Sequence, residues 1–376
     1  MTDDGSSTPP RDRGELRLPL TYGECRARFR RAAGSVGADV SSHAIEATGP
    51  DGQQLAIDVV TLGASRPSRA LVVLSGVHGV EGFVGSALQC DLLRRLDPSS
   101  LPGDVAVLIV HAVNPWGMAH WRRQNESNVD LNRNWRRNQT EPVPNPAYDL
   151  MHPLVCPDTS DLPAVDELFA SARALVAERG FDWVRDGITT GQCRHPDGLH
   201  FGGDRSEEST IVLERLFAER LGDAGWVLTI DLHTGHGPRG EITLLSDASP
   251  GTDQDRFLRT RFPGVRVEAT ADNPDATTGQ KSGQIANGMR QLLPNATCFG
   301  TCVEFGTATD DEQLVATYQE QWVHRRGLRE DPAYGAVVWA YRRCFTPDDP
   351  RWEDQVLLAG GDLVRSAVAA VVDWGP

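Results

Sequence analysis

The sequence lacks the features that mark membrane, secreted and nucleic-acid-binding proteins. Acidic residues outnumber basic ones by 52 to 37, the net charge is −15, and no basic cluster resembles a phosphate-binding surface. No apolar run approaches the roughly 18 residues of a membrane-spanning helix. Residues 1–17 are polar and lack the apolar stretch of a signal peptide, so we expect a disordered tail there. These absences predict a cytoplasmic protein with no nucleic-acid or membrane partner.

Cysteine is also sparse. The seven cysteines are an odd number and form no CxxC pair, which argues against a disulfide framework and against a structural zinc ribbon. We expect most of them to be small buried side chains. Cys302 lies two residues before Glu304 on the same face of a predicted strand, and we expect a buried thiol there rather than a reactive one.

Short apolar runs alternate with amphipathic stretches after residue 17. The runs at 70–74, 105–110, 226–232 and 297–305 are nearly all apolar, as in strands that are buried on both faces. The amphipathic stretches between them predict helices, so the fold class is α/β, with helices on both faces of a largely parallel sheet. Ligands of such sheets bind at the carboxyl ends of the strands, and the polar residues there are the candidates for chemistry.

Two of these strand ends predict a metal site. His78 and Glu81 follow the first run and are three residues apart, which puts their side chains on one face of a helical turn. His233 lies at the end of the third run. Two histidines and one glutamate are a ligand set of catalytic zinc that leaves a fourth position open. Each residue alone has an ordinary explanation, such as a carboxylate beside a helix N-terminus, so the prediction depends on their conjunction.

The other two strand ends supply acid–base and cationic groups. Glu304 ends the fourth run and is a natural general base for the water that attacks a substrate. The second run leads into a stretch at 114–135 that is rich in arginines and amides. Because a guanidinium suits a carboxylate or a developing oxyanion, these residues together indicate chemistry by a metal-activated water.

In chain order, HxxE, NPxG, R-x5-VDLNRN, a strand-end histidine and a strand-end glutamate resemble the zinc carboxypeptidase superfamily (peptidase family M14-like) over about residues 55–310. The chain looks closest to the bacterial DUF2817 branch, and it is also similar to the aspartoacylase and succinylglutamate desuccinylase branch. The resemblance implies a three-layer αβα fold with a mixed, mostly parallel central sheet, and one catalytic domain over residues 18–376. It implies one Zn²⁺ per chain, bound by His78, Glu81 and His233.

The resemblance also implies roles for the residues beside the metal. Glu304 would be the general base and later the proton donor. Arg123, selected by the R-x5-VDLNRN spacing, would polarise the scissile carbonyl, and Asn132 and Arg133 would hold a carboxylate of the substrate. The implied substrate is a small peptide or an N-acyl amino acid with a free carboxylate.

One departure from the family leaves the reaction open. Metallocarboxypeptidases carry a tyrosine on a mobile loop before the catalytic glutamate, whereas this sequence has no tyrosine between His233 and Glu304. The loop at 272–283 is rich in small and polar residues instead. A metallocarboxypeptidase-like peptidase is the first interpretation, an N-acyl amino acid or small-amide deacylase of the aspartoacylase type is the second, and a non-catalytic zinc-binding protein is the third.

Polar residues near these motifs have simpler interpretations. Arg122 is expected to be a surface residue. Asp231 shares a strand face with His233 and is expected to orient its imidazole, and His236 lines the pocket or caps a turn. Five prolines predict an irregular flap over 136–161. A glycine-rich loop at 191–203 is an ordinary connector or a substrate loop, and it carries Gln192, His195 and His200.

Overall fold

The computed structural model describes residues 17–135, 144–162, 164–271, 281, 283–326 and 332–374. Its strands are β1 (Ser41–Thr48), β2 (Gln54–Gly63), β3 (Arg69–Ser75), β4 (Val105–His111), β5 (Trp226–Gly235), β6 (Ile242–Ser246), β7 (Arg266–Ala269) and β8 (Thr297–Gly306). Its helices are α1 (Tyr22–Ser35), α2 (Gly82–Arg95), α3 (Pro115–His120), α4 (Leu131–Asn134), α5 (Pro146–Val155), α6 (Val165–Arg179), α7 (Phe181–Thr189), α8 (Glu208–Leu221), α9 (Asp253–Arg261), α10 (Ile285–Leu292), α11 (Asp310–Arg326), α12 (Pro332–Phe345) and α13 (Pro350–Val372). Nearly all of the tail predicted over 1–17 and of the loop predicted over 272–283 lies outside the described residues.

These strands form one mixed sheet in the order β1-β2-β4-β3-β5-β8-β6-β7. The strands β4, β3, β5 and β8 are parallel neighbours at its centre. Strands β2 and β6 join this centre as antiparallel neighbours, and β1 and β7 form the two edges. The four nearly all-apolar runs are the four central strands, because these strands are covered on both faces.

Two apolar cores lie on opposite faces of the sheet. In β3, Leu71 and Val73 pack into one core, whereas Ala70, Val72 and Leu74 pack into the other, as expected from the alternation of side chains along a strand. Helices α1, α2, α9 and α13 contribute to the first core, and α8 and α10 contribute to the second. The predicted three-layer αβα arrangement with a mixed, mostly parallel sheet is therefore confirmed.

Helix α13 is the one helix of the described residues that is long and apolar enough to cross a membrane by length and composition. Half of its most apolar window is buried. Trp352, Val356, Leu363 and Val364 pack into the first core together with α1 and α2. The apolar character of this helix is thus accounted for by its place in the core.

Within the stretch predicted to be an irregular flap, residues 146–155 form helix α5, and that part of the prediction is wrong. Asn145 caps the helix, since its side chain accepts a hydrogen bond from the backbone N–H of Tyr148 at 2.9 Å. Pro146 occupies the first turn, where proline is well tolerated because the missing N–H has no partner there. Proline is therefore compatible with a helix start at this position, and its presence alone does not predict an irregular segment.

His111, at the end of β4, is fully buried and gives the fold a pH dependence. Its Nε2 lies 2.9 Å from Ser86 Oγ, and its ring stacks on Phe29 at 4.6 Å between centroids. Burial lowers the pKa of His111 to about 4, although the nearby carboxylate of Asp58 acts in the opposite direction. The folded state therefore holds this histidine neutral where the unfolded state begins to protonate it.

We expect acidification from pH 7 toward pH 4 to destabilise the protein through His111. A base with a depressed pKa in the folded state binds fewer protons than the unfolded chain, so stability falls as pH drops below about 6.5 and the loss reaches ~3 kcal/mol near pH 4. His111→Gln should remove this part of the pH dependence in urea unfolding curves at pH 7 and pH 5. His120→Gln, at the end of α3, serves as the control. Equal pH dependence in wild type and His111→Gln would contradict the argument.

Candidate active site

The loop that follows β3 places His78 and Glu81 on one tight turn. Gly76 turns the chain with φ of +66°, and residues 79–81 form a single 3-10 turn that leads directly into α2. A Cβ at Gly79 would lie 2.0 Å from the backbone of Gly117 in α3, so only glycine allows this close approach. The turn is thereby pressed against α3, and both side chains lie at the carboxyl end of the sheet.

Strand β5 brings His233 to the same place. The candidate ligand atoms of His78, Glu81 and His233 all lie within 4.8 Å of one another, and all three residues are buried. Glu81 Oε1 lies 3.1 Å from His78 Nδ1, and Glu81 Oε2 lies 2.8 Å from His233 Nδ1. These three residues are called the trio below.

Each histidine of the trio has its second ring nitrogen on a separate carboxylate. His78 Nε2 lies 3.0 Å from Asp130 Oδ1, and His233 Nε2 lies 2.7 Å from Asp231 Oδ2. A carboxylate at Nε2 fixes the tautomer in which Nδ1 carries the lone pair. The place of Asp231 agrees with its expected orienting role. Asp130 had no predicted role, although its position in the VDLNRN motif was a usable signal.

The trio fits a zinc ion by its donor set and by the state of its atoms. His78 Nδ1 is buried and faces Glu81 Oε1 at 3.1 Å, so two of the candidate ligand atoms point toward each other, as they would around a shared metal ion. Burial by itself would raise the pKa of Glu81, but the histidines and Arg123 hold that pKa far below its usual range. The carboxylate is thus available in its charged form, and two imidazoles with one carboxylate match an open catalytic zinc site.

Arg123 bridges the trio and its supporting carboxylate. Its Nη1 donates to Glu81 Oε1 at 3.0 Å, and its Nε donates to Asp130 Oδ2 at 3.1 Å. Its backbone carbonyl accepts the N–H of Gly79 at 3.3 Å, which ties the two segments together. The side chain remains 14% exposed. The sequence-predicted arginine is therefore held beside the trio at a point that solvent reaches.

Asn132 is fully engaged inside the protein. Its Nδ2 donates to Asp231 Oδ2 at 3.1 Å, and its Oδ1 accepts the backbone N–H of Ile285 at 3.0 Å. In this arrangement Asn132 supports the carboxylate behind His233. The role predicted for it, contact with a substrate carboxylate, would require these bonds to rearrange and stays a prediction.

Arg133 is a buried cation with few partners. Its Nη1 and Nη2 donate to the backbone carbonyls of Asn132 and Thr189 at 3.0 and 2.6 Å. Its Nε is buried without a partner, and no carboxylate of the described residues forms an ion pair with it. Two carbonyls thus fix the direction of the guanidinium, whose charge a substrate carboxylate would balance.

Glu304 and His233 are directly paired in the register of β8 and β5, so both side chains stand at the same edge of the sheet. Glu304 is half-buried, and its Oε2 accepts the backbone N–H of His236 at 3.3 Å. The His236 ring lies 3.4 Å from Glu268. The backbone of His236 therefore contacts Glu304, whereas its ring faces Glu268 on strand β7.

Lys281 is a residue that the sequence analysis missed. Burial and then the charge of Arg133 lower its pKa to about 8, while Cys302 and Glu304 act in the opposite direction. The backbone at Gly283, two residues later, lies against Arg133, since a Cβ there would meet the Arg133 carbonyl oxygen at 2.4 Å. The available signal was composition, because Lys281 is the only lysine of the chain.

The prediction that Arg122 is a surface residue is wrong. Arg122 is 1% exposed, and its Nε lies 2.8 Å from Glu320 Oε1 on α11. Its Nη2 donates to Gln321 at 3.0 Å and to Asn128 at 3.1 Å. Glu320 lies almost 200 positions from Arg122 in the sequence, so local spacing could not predict this ion pair. The position of Arg122 next to Arg123 therefore gave no indication that it is buried.

The loop at 191–203 packs beside the same site, since Gly191 and Gly202 lie against Arg133. The side chain of Gln192 accepts the backbone N–H of His195 at 2.7 Å and donates to the backbone carbonyl of His195 at 2.8 Å. These bonds stabilise the loop itself, as expected of an ordinary connector. The ring of His195 bonds to Asp149, away from the trio. His200 differs, because its Nδ1 lies 3.2 Å from Asp130 Oδ2. One member of this loop therefore reaches the carboxylate behind His78.

The cysteines behave as predicted. All seven are free thiols and five are buried. Burial raises the pKa of the Cys302 thiol, although His233 opposes this. Its Sγ accepts a hydrogen bond from Gln284 Nε2 at 3.5 Å. The expectation of a small buried side chain at Cys302 is confirmed.

Several solved structures are similar to this chain at low sequence identity. Carboxypeptidase A from Helicoverpa armigera is 14% identical, with a TM-score of 0.46, over 94% of this chain and 75% of that chain. A metallo-carboxypeptidase from Burkholderia cenocepacia is 13% identical, with a TM-score of 0.40, over 85% and 68%. A succinylglutamate desuccinylase/aspartoacylase family protein from Shewanella amazonensis is 15% identical, with a TM-score of 0.38, over 77% and 73%. No curated protein matches.

The family model of DUF2817, described as a protein of unknown function, matches residues 19–359. This range contains the trio, Arg123, the VDLNRN motif and Glu304. The resemblance to this branch that the motifs indicated is therefore confirmed: the chain belongs to the DUF2817 family.

Proposed function

We propose that the protein is a zinc-dependent hydrolase that cleaves an amide bond next to a free carboxylate, as a metallocarboxypeptidase-like peptidase. The observation that carries this proposal is the trio of His78, Glu81 and His233, with ligand atoms within 4.8 Å and a carboxylate behind each histidine. Two Nδ1 atoms that face one carboxylate, each with a carboxylate behind its ring, support the proposal of a metal ion bound there.

A zinc ion bound by the trio would act as a Lewis acid that polarises the scissile carbonyl and makes water more acidic. The residues of the chain supply the rest of the chemistry. Arg133, oriented by two carbonyls, would bind the substrate carboxylate and so set which bond lies beside the trio. Arg123 has donors on Nη2 beyond its two carboxylate contacts, and these would face the carbonyl oxygen as negative charge develops on it.

Glu304 would carry the proton through the reaction. It stands beside His233 at the edge of the sheet, and it is half-buried, so it can meet both water and substrate. As water adds to the carbonyl carbon, Glu304 takes one of its protons and holds it at the carboxylate. The C–N bond then breaks, and Glu304 gives that proton to the leaving amine nitrogen.

The proposal is tested by identifying the products that the zinc-loaded protein releases from matched substrates. We expect N-acyl peptides with a free C-terminus to lose their last residue, and their C-terminal amides to remain intact. Arg133→Lys should raise KM by roughly tenfold on the free-carboxylate peptides, because an ammonium cannot form the bidentate pair. Arg194→Gln, an exposed arginine of the neighbouring loop, is the matched control and should leave KM unchanged.

Two other outcomes would overturn the proposal. Release of the acyl group from N-acyl amino acids, with the peptides untouched, would identify a deacylase, the reaction that the missing tyrosine left open. A protein that purifies with one zinc per chain and yet hydrolyses neither class would be a binding protein. Mass spectrometry of the products and metal analysis separate the three cases.

A further inference from the structure

His200 presents a hydrogen-bond acceptor beside Arg123. The ring Nδ1 lies 3.2 Å from Asp130 Oδ2, and the same oxygen accepts Arg123 Nε at 3.1 Å. Burial lowers the pKa of His200 to about 4, so the ring is neutral at physiological pH. A neutral ring that donates its Nδ1–H to Asp130 has its lone pair on Nε2.

The backbone around His200 is held in an unusual conformation. Its φ of +51° lies in the left-handed region, which few non-glycine residues adopt and in which histidine is one of the more frequent ones. Two hydrogen bonds hold the backbone at His200 and Phe201: the carbonyl of His200 accepts the N–H of Gln192 at 3.1 Å, and the carbonyl of Phe201 accepts the N–H of Asp130 at 2.8 Å. Strain that the surroundings enforce in this way is typical of functional positions.

The side chains of His200 and Arg123 are complementary to one substrate unit. Asp130 is fully buried, whereas the two side chains on its Oδ2 are each 14% exposed. They therefore lie side by side where solvent, and a substrate, can reach them. Arg123 only donates hydrogen bonds, and His200 Nε2 accepts one. An acyl residue with a carbonyl oxygen and a nearby N–H offers the matching pair.

We propose that His200 Nε2 accepts a hydrogen bond from the N–H of the residue that supplies the scissile carbonyl. This inference rests on the proposed function and narrows its substrate class. The preferred substrates are peptides or acylated aminoacyl amides, which carry that N–H. Simple acetyl or succinyl amides lack it and leave His200 without a partner.

The test compares two substrates that differ in one atom group. N-acetyl-alanyl and O-acetyl-lactyl derivatives of the same C-terminal amino acid share the scissile amide, but an ester oxygen replaces the N–H in the second. We expect the wild type to prefer the N–H substrate by roughly tenfold in kcat/KM. His200→Asn, chosen because asparagine tolerates a positive φ, should lose about tenfold on the N–H substrate and less than twofold on the ester, which abolishes the preference.

A binding measurement and a control variant complete the design. Calorimetry on the zinc-loaded protein should show tighter binding of N-acetylalanine than of O-acetyllactate, and His200→Asn should remove the difference. His195→Asn is the control, since His195 lies in the same loop but its ring bonds to Asp149 at 2.8 Å; its preference should match the wild type.

Three results would count against the inference. If His200→Asn lowered kcat/KM equally on both substrates, His200 would act only through Asp130. A lower zinc content of that variant would lead to the same conclusion. A wild type without the preference would also overturn it. If the wild type cleaves neither substrate, the proposed function fails. The calorimetric comparison then decides by itself whether His200 accepts a hydrogen bond from the N–H.

Discussion

Glu304→Gln is expected to lower kcat by about 10²–10⁴-fold while the protein keeps its zinc. Glutamine has the same shape and can still accept the N–H of His236, which Glu304 Oε2 accepts at 3.3 Å. It cannot take a proton from water or return one to the leaving amine. Because Glu304 is not a member of the trio, the loss should appear in kcat, whereas the zinc content should stay at one per chain.

The experiment measures kcat on the best free-carboxylate peptide and zinc by elemental analysis of the same samples. Glu268→Gln is a close control, because Glu268 is a buried carboxylate that lies 3.4 Å from His236 on the other side. It should retain most of the activity. Full activity of Glu304→Gln would remove Glu304 from the mechanism, and loss of zinc would instead make it a ligand.

His78→Ala is expected to abolish both zinc binding and turnover. Its Nδ1 faces Glu81 Oε1 at 3.1 Å within the trio, so its removal takes away one of the three candidate ligand atoms. His233→Ala should do the same from the other side of Glu81. A binding site with two of three protein ligands cannot hold zinc against competing chelators at ordinary concentrations.

Asp130→Asn is expected to weaken zinc binding without abolishing it, in contrast to His78→Ala. The carboxylate of Asp130 holds His78 Nε2 at 3.0 Å, and loss of such a support typically costs 10–100-fold in metal affinity, so we expect a loss of about that size. Chelator competition gives the affinities. Chelation should also lower the melting temperature of the wild type but not of His78→Ala, because zinc stabilises only a chain that binds it.

His111→Gln is the matched control for these three variants, since His111 is a buried histidine whose contacts, with Ser86 and Phe29, lie outside the trio. It should keep one zinc per chain. If His78→Ala retained zinc with unchanged affinity, the trio would not be the metal site, and the proposed function would lose the observation that carries it.

Local patterning was sufficient for the framework of this protein. The four nearly all-apolar runs became the central strands β3, β4, β5 and β8, because a strand covered on both faces needs apolar residues at every position. The residues at their carboxyl ends met at one edge of the sheet, because parallel strands present those ends together. The edge elements α1 and β1 were missed, since half-exposed segments carry weaker patterns.

The local sequence pattern could not predict the role of a side chain that depends on a hydrogen-bond or ion-pair partner distant in the sequence. Asn132 lies in the motif that implied substrate binding, yet it donates to Asp231 and accepts from Ile285. Arg122 looked like a surface neighbour of Arg123, yet it forms a buried ion pair with Glu320. In both cases the partner comes from a segment more than 90 positions away, and spacing along the chain contains no information about that distance.

The sequence by itself determined the α/β class and the candidate residues His78, Glu81, His233 and Glu304, because strand periodicity and strand-end polarity are local properties. The order of its motifs indicated the DUF2817 family by resemblance, and the family-model match confirmed it. Only the tertiary structure decided how these residues are supported. The carboxylates of Asp130 and Asp231 behind the two histidines, and the contact of His200 with Asp130, arise from packing between distant segments. Those contacts occupy one ring nitrogen of each histidine and so leave the other for the role that we propose.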